Sequence, residues 1–252
     1  MREFLSVENI KLTYQTMESE TDAIKNVSFT VGKGQFVSIV GPSGCGKSTL
    51  LSCIAGLTVP TAGRIMLEGQ EIKGVSPQVG YMLQTDNLFP WRNIYKNVLL
   101  GLEIQKKLTT ENIAYINELL KKYGLWEFKD SYPSALSGGM RQRAALIRTL
   151  AVRPRLLLLD EAFSALDYQT RVTVSRDVYN ILRNENQTMI MVTHDIPEAV
   201  SMSDRIIVLS KRPATVALQT DTPFPKQRDT LAVRTSNEYA LCYDTVWKEM
   251  SQ

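Results

Sequence analysis

Histidine is nearly missing from this chain of 252 residues: His194 stands alone, beside three cysteines, Cys45, Cys53 and Cys242. That supply builds neither a zinc-ligand spacing nor a disulfide framework. An excess of one charge is missing too. The 29 Lys and Arg residues nearly cancel the 26 Asp and Glu, leaving a formal +3, too little for a nucleic-acid-binding field. No apolar run approaches the roughly 18 residues of a membrane-crossing helix. The start, Met1-Arg2-Glu3-Phe4, has no apolar stretch of the signal-peptide kind. Internal repeats, low-complexity tracts and sustained heptads are absent as well. The chain therefore reads as soluble and cytoplasmic, with 44% hydrophobic residues to build one α/β domain carrying a helical insert.

Hydrophobic period gives the outline. Ile10, Leu12 and Tyr14 alternate as in a strand, and so do Val27, Phe29 and Val31, with an exposed polar turn expected over Thr16–Asp22. Gln35–Val40 is an apolar run entering glycine-rich sequence, and a helix is expected over Lys47–Ala55. Gly63–Leu67 and Val79–Leu83 are further strands. A helical block over about Thr85–Ser134 follows, with helices at Asn97–Lys107 and along Ile113, Ile116, Leu119, Leu120 and Tyr123, stopping at Gly124. Then come a helix over Met140–Ala151, a strand over Arg155–Asp160, and a helix carrying Val174, Val178, Ile181 and Leu182. Strands over Thr188–Thr193 and Arg205–Leu209 flank a short helix whose Asp195 and Glu198 have capping-box spacing. Pro213, Pro223 and Pro225 mark a looser tail that ends in a helix near Glu238–Met250.

Two glycine-rich turns carry the chemistry. Gly41-Pro42-Ser43-Gly44-Cys45-Gly46-Lys47-Ser48 fits G-x-x-x-x-G-K-[ST] between an expected strand and helix. Its glycines let backbone amides converge on phosphates, Lys47 reaches the β and γ oxygens, and Ser48 ligates Mg²⁺. Thr49 continues the motif into the helix. Cys45 fills a variable position of the loop, where alkylation is expected to block phosphate binding. Leu156–Leu159 is a strand ending in Asp160, which places that carboxylate in a magnesium shell, and Glu161 follows where an attacking water must sit. The second turn, Leu136-Ser137-Gly138-Gly139-Met140, opens another helix. Its amides and hydroxyl suit a phosphate contact that the first loop already provides within the chain. A two-fold dimer, one copy's turn closing over the other copy's nucleotide, resolves the duplication.

Together these residues resemble the nucleotide-binding subunits of ABC transporters, in order from Leu5 to about Leu209. The resemblance implies a P-loop NTPase fold: a mixed sheet core over about 1–84 and 155–210, N-terminal antiparallel strands, a helical part over about 85–154, and a short tail over 211–252. It implies ATP as ligand. Ser137, Gly138 and Gly139 would bind the γ-phosphate of the opposite subunit's ATP, and Asp167, in Ser164-Ala165-Leu166-Asp167, would cross the interface. Gln84 would touch Mg²⁺ or the lytic water, His194 the γ-phosphate, and the Tyr14 ring the adenine. Met140 stands where many members carry glutamine. Of Arg141 and Arg143 beyond it, at least one is expected merely to solvate its helix.

Phe89-Pro90-Trp91 after Gln84, the signature methionine, and the tail from Lys211-Arg212-Pro213 through Pro223-Phe224-Pro225 resemble the importer branch for nitrate, taurine and other sulfonates. Related sequences energise uptake of thiamine-type pyrimidine precursors. That likeness implies transmembrane permease subunits as partners. It also implies an extracytoplasmic solute-binding protein acting indirectly, a second ATP-binding subunit, identical or paralogous, and a place on the cytoplasmic face of the cell membrane. Trp91 is expected partly to line a groove for the permease and partly to pack the helical block. Three rival classes fit less well. DNA-repair ATPases place a long coiled coil between the two motifs, translation factors pair two cassettes, and GTPases carry Asn-Lys-x-Asp, which this chain lacks.

Overall fold

The computed structural model describes residues 3–15 and 20–251. Two long strands, β1 (Glu3–Gln15) and β2 (Glu20–Gly32), precede β3 (Phe36–Val40) and helix α1 (Lys47–Ile54). Strands β4 (Ala62–Leu67), β5 (Gln70–Glu71) and β6 (Val79–Met82) lead to the helical block of α2 (Ile94–Ile104), α3 (Thr110–Lys122) and α4 (Gly138–Leu150). The chain then alternates through β7 (Leu156–Asp160), α5 (Tyr168–Asn184), β8 (Thr188–Val192), α6 (Ile196–Met202) and β9 (Arg205–Leu209). It closes with β10 (Ala214–Asp221) and α7 (Asn237–Met250).

Three expectations shift. Residues 16–19 of the expected polar turn lie outside the described residues, and Glu20–Asp22 belong to β2. Helix α2 starts at Ile94 rather than Asn97, because the Asn93 side chain accepts the Lys96 amide and caps it. Asn97, fully buried, then turns inward. Its side-chain NH₂ donates to the carbonyls of Phe89, Arg92 and Asn93, and its oxygen accepts the Phe89 amide, which fastens the Phe89–Arg92 turn. The tail is not loose, since β10 pairs antiparallel with β9 and parallel with β2.

That last strand joins two sets into one ten-stranded sheet of order β5-β4-β1-β2-β10-β9-β3-β8-β7-β6. Strands β9, β3, β8, β7 and β6 run parallel, and their near-continuous apolar sequence follows from burial on both faces. Alternate residues separate cleanly. Leu157, Leu159, Met189 and Met191 face the core shared with α2, α3, α4 and α5. Leu156, Leu158, Ile190 and Val192 face the core shared with α1 and the β1–β2 ribbon. A third, smaller core holds α6 and α7 against β9. Among the described residues no helix is long and apolar enough to cross a membrane.

The parallel register decides where function sits. Residues leaving the carboxyl ends of β3, β6, β7 and β8 are the glycine-rich loop, Gln84, Asp160 with Glu161, and Thr193 with His194. Open α/β sheets bind ligands beyond those ends.

Candidate nucleotide site

Gly46 holds the loop in shape. It sits at the N-cap of α1 with φ of 115°, a left-handed conformation that a side chain resists. The amides of the first turn of α1 are thereby left open at the helix's positive end. Lys47 is buried, its Nζ donating to the carbonyls of Gly41 (2.8 Å) and Pro42 (2.9 Å). A hollow of about 230 Å³ opens above the loop, lined by Tyr14, Ser43, Gly44, Lys47, Ser48 and Thr49, with Gly46, Ala23, Glu161 and Arg212. Gly41, Pro42 and Cys45 are not among its lining residues. Cys45 is buried, and burial pushes its thiol above its ordinary range, so the expected alkylation is corrected: this thiol is shielded and protonated. Tyr14, 45% exposed, leaves its ring open to that hollow instead of the core.

Ser48 Oγ donates to Asp160 Oδ1 at 2.8 Å. The second carboxylate oxygen accepts from Tyr81 Oη at 2.9 Å, a partner that sequence reading missed. Burial first, and then the Asp160 charge, raise the Tyr81 phenol above its usual value, so it remains a donor. A hydroxyl and one oriented carboxylate suit a magnesium ion whose other ligands are phosphate oxygens and water. Glu161 is in the left-handed region with φ of 46°, held there by its amide on the Val192 carbonyl and by the Ser164 hydroxyl on its own carbonyl. Such strain, about 1–3 kcal/mol, persists where surroundings over-determine it, often at functional sites. Its Oε2 lies 3.2 Å from His194 Nδ1. Gln84 does not join Ser48 and Asp160; its Nε2 donates to Ser164 Oγ at 3.1 Å.

Ser137, Gly138, Gly139 and Asp167 line a separate hollow of about 560 Å³ that shares no lining residue with the first. Ser137 caps α4 by accepting the Met140 amide. A Cβ on Gly139 would lie 2.7 Å from Val174 of α5, so only glycine lets the turn sit this close to that helix. Asp167 caps α5, and hydrogen bonds from the Thr170 hydroxyl and amide hold its carboxyl below the ordinary range. Neither nearby arginine is merely solvated. Arg143 pairs with Asp177 at 2.9 Å, and Arg141 with Asp86 at 3.0 Å. Arg148 adds bonds to the carbonyls of Asp86 and Asn87, so α4 grips the segment just past Gln84. Trp91 is 71% exposed and stacked on Phe89 at 4.9 Å, which removes the expected packing role in the helical block.

A glycine loop entering a helix, a hydroxyl–carboxylate pair beside it and an acid poised past the strand define a P-loop nucleotide triphosphatase of the ATP-binding-cassette fold. The family model for ABC transporters matches residues 24–164. The chain is 46% identical over 251 residues to an uncharacterised ABC transporter ATP-binding protein, YtlC, of Bacillus subtilis, covering 98% of this chain and 96% of that one. It is 40% identical to the nitrate import ATP-binding protein NrtC of Synechococcus elongatus, over 90% of this chain and 36% of that protein. The bicarbonate transport ATP-binding protein CmpC of the same organism matches at 42%, over 89% of this chain and 35% of its own length. A solved dimer of the cassette MJ0796 bound to ADP and Pi superposes with TM-score 0.73 at 32% identity, covering 86% of this chain and 98% of that one. The chain belongs to the ABC transporter family, as an ATP-binding ATPase of that family.

Behind His194 lies a buried acid. Glu198 is 4% exposed; one carboxylate oxygen accepts from Thr193 Oγ1 at 2.8 Å, and the other has no hydrogen-bond partner. Burial pushes this carboxyl from an ordinary 4.5 up to about 7, with Asp195 adding to the rise and Thr193, Arg171 and Arg234 opposing it. A raised folded-state value means the native state holds a proton that the unfolded chain has lost. Its stabilisation is therefore complete below pH 4.5 and fades as pH rises through about 7. Glu198→Gln removes that dependence, a difference on the order of 3 kcal/mol between the two ends of the window. Urea denaturation at pH 5 and pH 7.5 reads it, and parallel behaviour of the two proteins would contradict the assignment.

Proposed function

We propose that this chain is the motor subunit of a membrane importer, hydrolysing Mg-ATP in a pocket completed by a second copy. The supporting observation is the separation of the two hollows: donors suited to the same γ-phosphate sit in places that one chain does not join. In the proposed dimer, Ser137, Gly138 and Gly139 of one copy close over nucleotide held by Tyr14 and residues 41–49 of its partner, with Asp167 at the seam. Solved MJ0796 cassettes are dimers, which favours this arrangement.

Ser48, Asp160 and, after a side-chain turn, Gln84 would hold a magnesium ion, which would supply neutralisation of developing phosphate charge. Glu161 orients a water and accepts its proton as oxygen attacks the γ-phosphorus and the bond to ADP breaks. His194 exchanges Glu161 for a γ-phosphate oxygen on ATP arrival, and Lys47 moves from its loop carbonyls to the same group. Each such preorganised contact contributes a factor of roughly a hundred to a thousand in rate. Opening of the product dimer is passed from Gln84 through Asp86, Arg141 and Arg148 to the helical block and to a permease docked beside Phe89 and Trp91.

The chain so placed is peripheral to the cytoplasmic face of the membrane, with a solute-binding protein outside. For solute we propose a small oxyanion, nitrate or an alkyl sulfonate such as taurine, and relatives named for nitrate and bicarbonate favour that class. Uptake of a pyrimidine precursor is the alternative.

Glu161→Gln is expected to bind ATP like the parent and, with ATP and Mg²⁺, to elute from size exclusion as a dimer; persistent monomer would argue against its role as base. Trp91→Ala is expected to lose co-purification with the permease while keeping most basal ATPase. A variant that fell in ATPase and kept its partner would reverse the assignment.

A further inference from the structure

Lys211-Arg212-Pro213 stood out in the sequence without acquiring a role in the reaction above. The turn between β9 and β10 carries Arg212 into the hollow over the phosphate loop, where it shares the lining with Tyr14 and Ala23. Its Nε donates to the Asp22 carbonyl at 3.2 Å, the single hydrogen bond of this side chain among the described residues, which also give it no ion pair. The Asp22 carboxylate is taken by Thr13 and Lys11. The side chain is exposed, and among the described residues no carboxylate pairs with its two terminal NH₂ groups.

Register fixes which end of the hollow this cation occupies. Asp22 pairs across β1–β2 with Thr13, and Thr21 pairs with Tyr14, so the anchor of Arg212 is one residue along from the strand partner of that ring. Lys47, Ser48 and Glu161 form the opposite, phosphate-directed end, with Ser48 tied to Asp160. A guanidinium is planar, weakly hydrated and well suited to stacking on a π-face. We infer that Arg212 is a nucleotide-binding residue whose guanidinium closes over the nucleoside end of bound ATP, across from Tyr14. The inference rests on reading this hollow as the ATP site, and adds a contact from the C-terminal strand pair that the two glycine-rich turns do not supply. The catalytic groups Lys47 and Glu161 line the other end of the same hollow, so Arg212 acts on affinity for nucleoside-bearing ligands.

The test is calorimetric titration of the full chain with Mg-ATP, Mg-ADP and inorganic Mg-tripolyphosphate. Arg212→Ala is expected to weaken ATP and ADP by a similar factor of about ten, the size of one lost cation–π contact, and to leave tripolyphosphate unchanged. Arg212→Gln keeps a donor for the Asp22 carbonyl and is expected to lose the same factor, so a disturbed turn in the alanine variant cannot produce the result by itself. Tyr14→Ala supplies the comparison. If Tyr14→Ala weakens ATP while both Arg212 variants bind it like the parent, the inference is overturned and the reading of the hollow survives. Equal losses for ATP and tripolyphosphate overturn it too, by making Arg212 a phosphate-end cation. If neither Tyr14 nor Arg212 substitution changes ATP affinity, the placement of the nucleoside in this hollow fails with it.

Discussion

Charge on a triphosphate has to be met from several sides at once, and this chain arranges its donors on two sides that do not meet. Lys47, Ser48 and the amides of the loop gather over α1, while Ser137 and its glycines gather over the start of α4, each group around its own hollow. Gly46 and Gly139 make the two turns possible for different reasons. One needs a left-handed backbone, and the other a contact with Val174 that any side chain would block. In the proposed dimer the two incomplete sites complete each other, and affinity for a second copy becomes conditional on nucleotide. The chemistry and the motion are then one event, because the contacts that stabilise transferring charge also hold the protomers together.

Movement made at that seam has physical routes through the protomer. Arg141 and Arg148 bind α4 to Asp86 and Asn87, so the turn carrying Ser137 and the segment carrying Gln84 cannot shift independently. A third arginine serves the other flank. Arg171 donates to the carbonyls of Ser164 and Leu166 and lies 3.6 Å from Asp195, linking the loop before Asp167 to the turn that bears His194. These ion pairs are partly exposed, so the bonds to backbone carbonyls beside them supply much of the stiffness of the links. Stiff links between the two hollows and the exposed Phe89–Trp91 stack are what a motor subunit acting on a partner requires.

The fold was legible wherever local pattern and tertiary demand agreed. Apolar runs ending at Val40, Asp160 and Val192 read as strands because burial on both faces of a parallel sheet leaves no room for polar alternation. Strand β10 escaped notice although Ala214, Val216 and Leu218 do alternate, since flanking prolines suggested a tail. The beginning of α2 was placed at Asn97, which instead is a buried clamp within the helix, and the cap is Asn93. At the site, residues defined by one contiguous motif were readable. Tyr81 and Arg212 were not, because what brings them in is pairing between strands distant in sequence: β6 against β7, and β10 against β2. Gln84, which the family resemblance placed at Mg²⁺ or the lytic water, rests on Ser164 in this structure.

The composite pocket is tested most directly by mixing two chains, each disabled on one side only. Lys47→Ala removes the loop's cation, and Ser137→Arg fills the other turn; each alone should hydrolyse almost no ATP. In a mixed dimer one pocket combines the intact loop of the second chain with the intact turn of the first. The account predicts that mixing the two purified inactive variants restores ATPase, to as much as about a quarter of the parental rate at equal amounts if random pairing applies and sites fire independently. A mixture as inactive as its components, with dimers demonstrably exchanged, would contradict a site shared between chains.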